Sequence, residues 1–177
     1  MPFRRFVMFR RFVALPSCLV VCVALQSCTL APKRVAIMDF ENATGDHRLD
    51  GLSTAIPESL ITVMNRDPRR VYILERQDIN RYLAEIDRAP LRPGERLSNS
   101  RFQQLGKRLG ADYLVVGSVS RFGKMYVVQC RLFSVARGEL VPSASMAQQC
   151  NQEEEVVIIV QNLGREMVKQ VSARSVQ

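Results

Sequence analysis

The chain has 177 residues, 47% of them hydrophobic and 24% charged, with 25 basic and 17 acidic side chains and a formal net charge of +8. Four arginines and no acid precede residue 28, so residues 28–177 carry 21 basic against 17 acidic groups, a surplus too mild to argue for nucleic-acid binding. That remainder holds no Gly/Ser linker, low-complexity tract or internal repeat, and it is long enough for one domain with a real core.

Residues 1–27 begin with a basic region (Arg4, Arg5, Arg10, Arg11) and continue into an apolar run over 12–25, too short for a permanent span of ~20 residues. Residues 34–40 are nearly all apolar, which suits a strand covered on both faces, and 41–46 form a polar turn. The spacing of Leu52, Ile56, Leu60, Val63 and Met64 predicts a helix over 52–65, with Pro57 near its start and Asp67-Pro68 beyond its end. A short strand follows over 71–74, then a helix over 75–87 that buries Ile79, Tyr82, Leu83 and Ile86. Residues 88–99, with two prolines and a glycine, read as a loop. Ser100 is placed to cap a helix over 101–109 that ends at Gly110. Residues 113–119 form a buried strand, and 124–135 with 139–146 form an antiparallel hairpin turning at Arg137-Gly138. The last helix, 153–171, starts with three glutamates and has Lys169 near its end, the charge order its dipole favours. The result is an α/β (α+β) fold with a single mixed β-sheet flanked by helices, in the order β-α-β-α-α-β-β-β-α.

Leu25-Gln26-Ser27-Cys28 resembles the bacterial lipobox, in which a leucine and two short positions precede a lipidated cysteine. The resemblance implies a signal peptide at 1–27, acylation of Cys28 (palmitate-type chains), a tether at 28–33, a periplasmic domain at 34–172 and a tail at 173–177. Several acyl chains, at roughly 0.8 kcal/mol per buried CH₂, give stable anchoring without a membrane span. Thr29 stands where an aspartate would resemble an inner-membrane retention signal, so the outer membrane is the expected location. The alternative is an ordinary secretory leader with a chance cysteine. Residues 3–8 and 9–13 repeat each other, which leaves Met1 and Met8 both open as the start.

Two cysteines, Cys130 and Cys150, remain in what would be an oxidising compartment. A turn at 137–138 puts Cys130 opposite a residue near Ser145, with Cys150 roughly 17 Å further at ~3.3 Å per residue. A disulfide needs Cα atoms within about 7 Å; a bend after Ser143 would close the gap. A bridge and two free thiols both stay open.

Catalytic patterns are sparse. The single histidine, His47, lies in a polar loop beside Asp46 and Asp50, and aspartates 39, 46, 50, 78 and 112 fall at turns and helix starts, where capping explains them. Glu75 and Arg76 follow a strand directly and suit a cap or an ion pair. Residues 42–46 lie at a strand's carboxyl end, where open α/β sheets place ligand crevices, yet no glycine-rich phosphate cradle or Walker lysine accompanies them. No nucleophile–base pair or metal-ligand spacing is readable, so no enzyme activity, cofactor or metal is expected.

Longer motifs carry a family resemblance. Residues 35–46 (Val-Ala-Ile-Met-Asp-Phe-Glu-Asn-Ala-Thr-Gly-Asp), Leu49-Asp50-Gly51-Leu52, Ile73-Leu74-Glu75-Arg76 and Leu109-Gly110-Ala111-Asp112 with its following strand to Gly117 are similar to segments of TolB N-terminal-like and curli-assembly (CsgG-like) periplasmic domains. Gly138-Glu139 matches a hairpin of that group, from which Ala136 and Arg137 depart. In size and anchoring the chain is similar to outer-membrane lipoproteins that activate penicillin-binding proteins. The resemblance implies a non-catalytic interaction or assembly factor whose partner is a penicillin-binding protein or an appendage or secretion component, with a homo-oligomer as a further possibility. The alternatives are a curli-type pore subunit and a small-ligand sensor. Against the pore, Gln129 and Arg131 share one face of the hairpin and Pro142 interrupts its second strand. The exposed candidates for a partner are the basic stretch 88–96 and the outer face of the last helix.

Overall fold

The structure is a computed structural model that describes residues 31–86 and 98–173. The expected leader, Cys28 and the first half of the expected tether, the basic stretch 88–96 and all but the first residue of the expected tail lie outside the described residues.

The elements follow one another as β1 (Lys33–Ile37), β2 (Glu41–Asn42), α1 (Asp50–Met64), β3 (Val71–Ile73), α2 (Arg76–Ile86), α3 (Asn99–Leu109), β4 (Tyr113–Phe122), β5 (Met125–Ser134), β6 (Glu139–Cys150) and α4 (Val156–Ala173). Single 3₁₀ turns, His47–Leu49 and Glu153–Glu155, lead into α1 and α4. One mixed sheet runs β3-β1-β4-β5-β6, with β2 beside β4; β1, β3 and β4 are parallel, and β5 and β6 complete an antiparallel meander.

Both faces of the sheet are used, which explains the unbroken apolar run in β1. Val35 and Ile37 turn toward a large cluster built with Leu60 and Met64 of α1 and with Leu163 and Met167 of α4. Ala36 and Met38 turn toward a smaller cluster with Ile79 of α2 and Leu105 and Leu109 of α3. Along β5, Tyr126, Val128, Cys130 and Leu132 alternate into the larger cluster, as the period of two predicts.

Three boundaries differ from the sequence reading, each for a local reason. The first strand pairs only to Ile37, because the chain then leaves the ladder to bury Phe40 beneath β4 before resuming as β2 against Ser118 and Val119. Gly117 permits this: a Cβ there would lie 2.4 Å from the Phe40 ring and 2.4 Å from the Gln129 carbonyl. The first helix begins at Asp50, so Pro57 sits in its interior. Proline has no N–H for the Ser53 carbonyl one turn back. That carbonyl instead accepts a 3.2 Å hydrogen bond from the Phe40 amide. The break in the strand and the break in the helix ladder therefore satisfy each other. Helix α3 is capped by Ser98, whose Oγ accepts from the Arg101 amide at 3.4 Å, and not by Ser100. Its far end is the predicted one, with Gly110 in the left-handed region at φ 62°.

The hairpin's second strand extends to Cys150, past the expected end at residue 146. The cysteines are not bridged: Cys130 pairs with Met146 and Cys150 with Tyr126, four positions earlier in β5, and both thiols are free and buried. Residues 145–150 run in continuous register with β5, and the register shift that precedes them, between Arg131 and Phe133, does not bring Cys150 beside Cys130.

Candidate functional site

Two ends of the sheet can be compared, because the parallel strands and the helices all run between them. At the far end lie the carboxyl ends of β1 and β3, the start of α1, the β4–β5 turn and the start of α4. At the near end the chain enters β1, α1 passes to β3, α3 passes to β4, and β5 turns into β6.

The far end is where an α/β crevice belongs, and the structure fills it. Strand β2 runs beside β4 in the gap beyond β1, and the loop after it is bonded to itself. Asn42 Nδ2 donates to the Asp46 carbonyl at 2.9 Å and to Asp50 Oδ1 at 2.8 Å, while its Oδ1 accepts from the amides of Thr44 and Gly45. Asp46 caps the 3₁₀ turn through the Arg48 amide and forms an ion pair with the Arg48 guanidinium at 2.8 Å. Those bonds hold the Asp46 carboxyl down at about 2. His47 Nδ1 lies 3.1 Å from Asp50 Oδ2, and bonding to Asn42 and His47 lowers the Asp50 pKa. The histidine is almost fully exposed and its ring is bonded to Asp50. It serves the loop.

The motif residues Asp39, Glu75 and Arg76 fare similarly. Arg76, at the first position of α2, pairs with Asp39 from the strand break and with Glu58 of α1, the latter at 3.1 Å. One guanidinium thus ties together three segments that lie far apart in the chain, a planar donor suiting two carboxylates at once. Glu75 is exposed beside it. At the near end Asp112 accepts from the Arg34 amide at 2.8 Å and pairs with Lys33 at 3.9 Å, and on α2 Asp78 pairs with Arg81 at 2.7 Å. Among the described residues no three His, Cys, Asp or Glu side chains group as metal ligands. Burial pushes the Cys130 thiol up to about 12 and raises that of Cys150, whose Sγ donates to the Gln152 carbonyl. Neither thiol is placed as a nucleophile.

Exposed surface features lie at the two ends, and of these the sequence named only the outer face of the last helix. Phe122, at the β4–β5 turn, is 62% exposed, and Val157 and Ile158, in the first turn of α4, are 52% and 60% exposed. They share the far end because β6 finishes opposite Tyr126 and passes directly into the turn before α4. Charge is divided too. The far end carries Asp39, Glu41, Asp46, Asp50, Glu58, Glu75 and Glu153–Glu155 against Arg48, Arg76, Arg121 and Lys124. The near end carries Lys33, Arg34, Arg66, Arg69, Arg70, Lys107, Arg108 and Arg137 against Asp67, Glu85, Asp112 and Glu139. The pair Val157-Ile158 outside the buried stripe of α4, and three arginines within 66–70, were the sequence signals available for these surfaces.

A mixed sheet with α1 and α4 on one face, α2 and α3 on the other, and its polar motif residues committed to internal bonds defines the class of domain. The same fold occurs in the C-terminal domain of LpoB from Salmonella enterica, with a TM-score of 0.53 at 18% identity over 69% of this chain and 84% of that one. The Escherichia coli LpoB domain gives 0.53 at 18% identity, covering 70% and 85%. Lipoprotein GNA1162 from Neisseria meningitidis gives 0.52 at 11% identity, covering 77% and 96%. The likeness to envelope lipoproteins read from the sequence therefore holds at the level of fold. No protein-family model and no curated protein sequence matches the chain.

Proposed function

We propose that this protein is an outer-membrane-anchored periplasmic lipoprotein, acylated at Cys28, that acts as a non-catalytic interaction factor for cell-envelope machinery. Its domain, 34–172, docks on a protein partner of that machinery, either a peptidoglycan synthase of the penicillin-binding class or a surface-appendage component. The observation that carries this reading is the far end of the sheet. Its polar motif residues are spent on holding the fold, while Phe122, Val157 and Ile158 stand exposed there. Exposed aromatic and aliphatic anchors rimmed by charge are the surface chemistry of protein docking. The fold shared with LpoB, a penicillin-binding-protein activator lipoprotein, and with a second lipoprotein supports the same reading.

The test is crosslinking of the native protein in intact cells, then affinity capture and size analysis. A single chain recovered with a peptidoglycan synthase or an appendage component is expected, and the yield should collapse in the Phe122→Ser/Ile158→Ser variant. A large ring of identical chains would replace this reading with the pore. Cys28→Ala should leave a folded domain that is released from the membrane and inactive. Complementation of a deletion by that variant would remove tethering from the mechanism.

A further inference from the structure

We infer that the near end of the sheet is a docking surface for the anionic lipid headgroups of the membrane, so that the domain stands on the bilayer with its far end outward. The inference rests on the proposed acylation of Cys28 for the membrane's position and goes beyond it in naming a face.

The chain path supplies the first argument. Lys33 lies five positions beyond Cys28, a reach of about 17 Å at ~3.3–3.6 Å per residue. The Lys33 amide, where β1 begins, donates to the Arg70 carbonyl at 3.0 Å. The loop joining α1 to β3 is thus the immediate neighbour of the tether's exit. That loop carries Arg66, Arg69 and Arg70, all exposed, with Asp67 as its one acid. Lys107 and Arg108, also exposed, add to the same end where α3 descends to β4.

Charge supplies the second argument. Arg70 pairs with Asp67 at 3.2 Å and Arg108 with Glu85 at 3.1 Å. Arg66, Arg69 and Lys107 have no acidic partner among the described residues. A cluster of cations beside an anchored tether is drawn to an anionic surface within about one Debye length, ~8–10 Å in physiological salt. The far end, with its excess of carboxylates, is repelled by the same surface. The two effects turn the domain in one sense.

The test uses the mature chain, 28–177, with Cys28→Ser so that no acyl chain contributes. Among the described residues both core clusters draw on 35–171, all of which this chain contains. Its binding is measured by co-sedimentation with vesicles of phosphatidylethanolamine containing phosphatidylglycerol and with vesicles of phosphatidylcholine alone. Binding to the anionic vesicles only, weakening as salt is raised, is expected. Arg66→Glu/Arg69→Glu should lower it by about tenfold or more, whereas Lys124→Glu at the far end should leave it unchanged or slightly weaker. Circular dichroism checks that both variants are folded. Equal binding to neutral vesicles, no binding, or equal loss in both variants overturns the inference. Retention on peptidoglycan sacculi in place of vesicles would overturn it as well and give the basic end to a different polyanion. Acylation is followed separately, by labelling of the full chain with palmitate in cells. Labelling without vesicle binding defeats only the orientation, and absence of labelling defeats the anchor.

Discussion

The two ends of this sheet are built from the same elements and do different work. At the far end the charged residues sit close in space and neutralise one another: Arg76 spans Asp39 and Glu58, and Arg48 holds Asp46. At the near end three cations, two in the α1–β3 loop and one in the last turn of α3, keep no acidic partner among the described residues. The difference shows how a polar motif and a working surface come apart. Residues whose spacing attracted notice in the sequence are those that several segments need for the fold. The residues left over, apolar at one end and basic at the other, are the ones free to meet something else.

The far end's architecture can be broken most severely at Phe40. Phe40→Ala empties a 3%-exposed aromatic site beneath β4 and should cost about 3–4 kcal/mol in urea denaturation. Gly117→Ala attacks the same junction from the other side and should cost about 2–3 kcal/mol, since a carbonyl of β5 cannot move away from the new methyl. A loss below ~0.5 kcal/mol for both would mean that the strand break is not fixed by this contact.

Arg76→Leu should be milder, about 1–2 kcal/mol by the same measurement, because the abandoned Asp39 and Glu58 are both more than half exposed and remain solvated. Were it as damaging as Phe40→Ala, the triad would be a core element and not a surface tie.

Thiol titration of the Cys28→Ser chain sharpens the description of the sheet between the two ends. Two thiols should react once the chain is unfolded and Cys130 should be silent before that, given its burial and a pKa near 12. Fewer than two reactive thiols in the unfolded chain would mean a bridge.

The smallest effect is local and depends on pH. The carboxyl of Asp46 is depressed from 3.8 to about 2 in the folded loop, so its stabilising contribution is complete above about pH 4 and is lost as pH falls toward 2. Asp50 is shifted in the same direction by Asn42 and His47. NMR shifts of the 42–50 amides should therefore move on acidification before the amides of β5 do. Simultaneous movement would show that the loop is not an independent unit.

Much of this was legible in the chain itself. Apolar periodicity gave each of the major elements, the alternation along β5 gave its core face, and Gly110 ended α3 where a left-handed cap was expected. Pro57 was legible as a proline but not as an interior one, because the group that compensates for it, the Phe40 amide, comes from another strand. The same limit applied to Asp39, Glu58 and Arg76, whose pairing joins positions 37 and 18 residues apart.

What the sequence determined alone is short-range: which segments are helices and strands, which faces are apolar, and the string ending in Cys28 on which the anchoring proposal stands. Those follow from spacing along one element, where neighbours in sequence are neighbours in space. Tertiary structure alone decided that β2 closes the crevice, that the cysteines stay apart in register, and that a mildly basic domain divides into a basic end and an acidic end. Net charge is a sum over the chain. Its distribution is set by which loops the parallel crossovers bring together, and that depends on pairings between strands that local spacing does not encode.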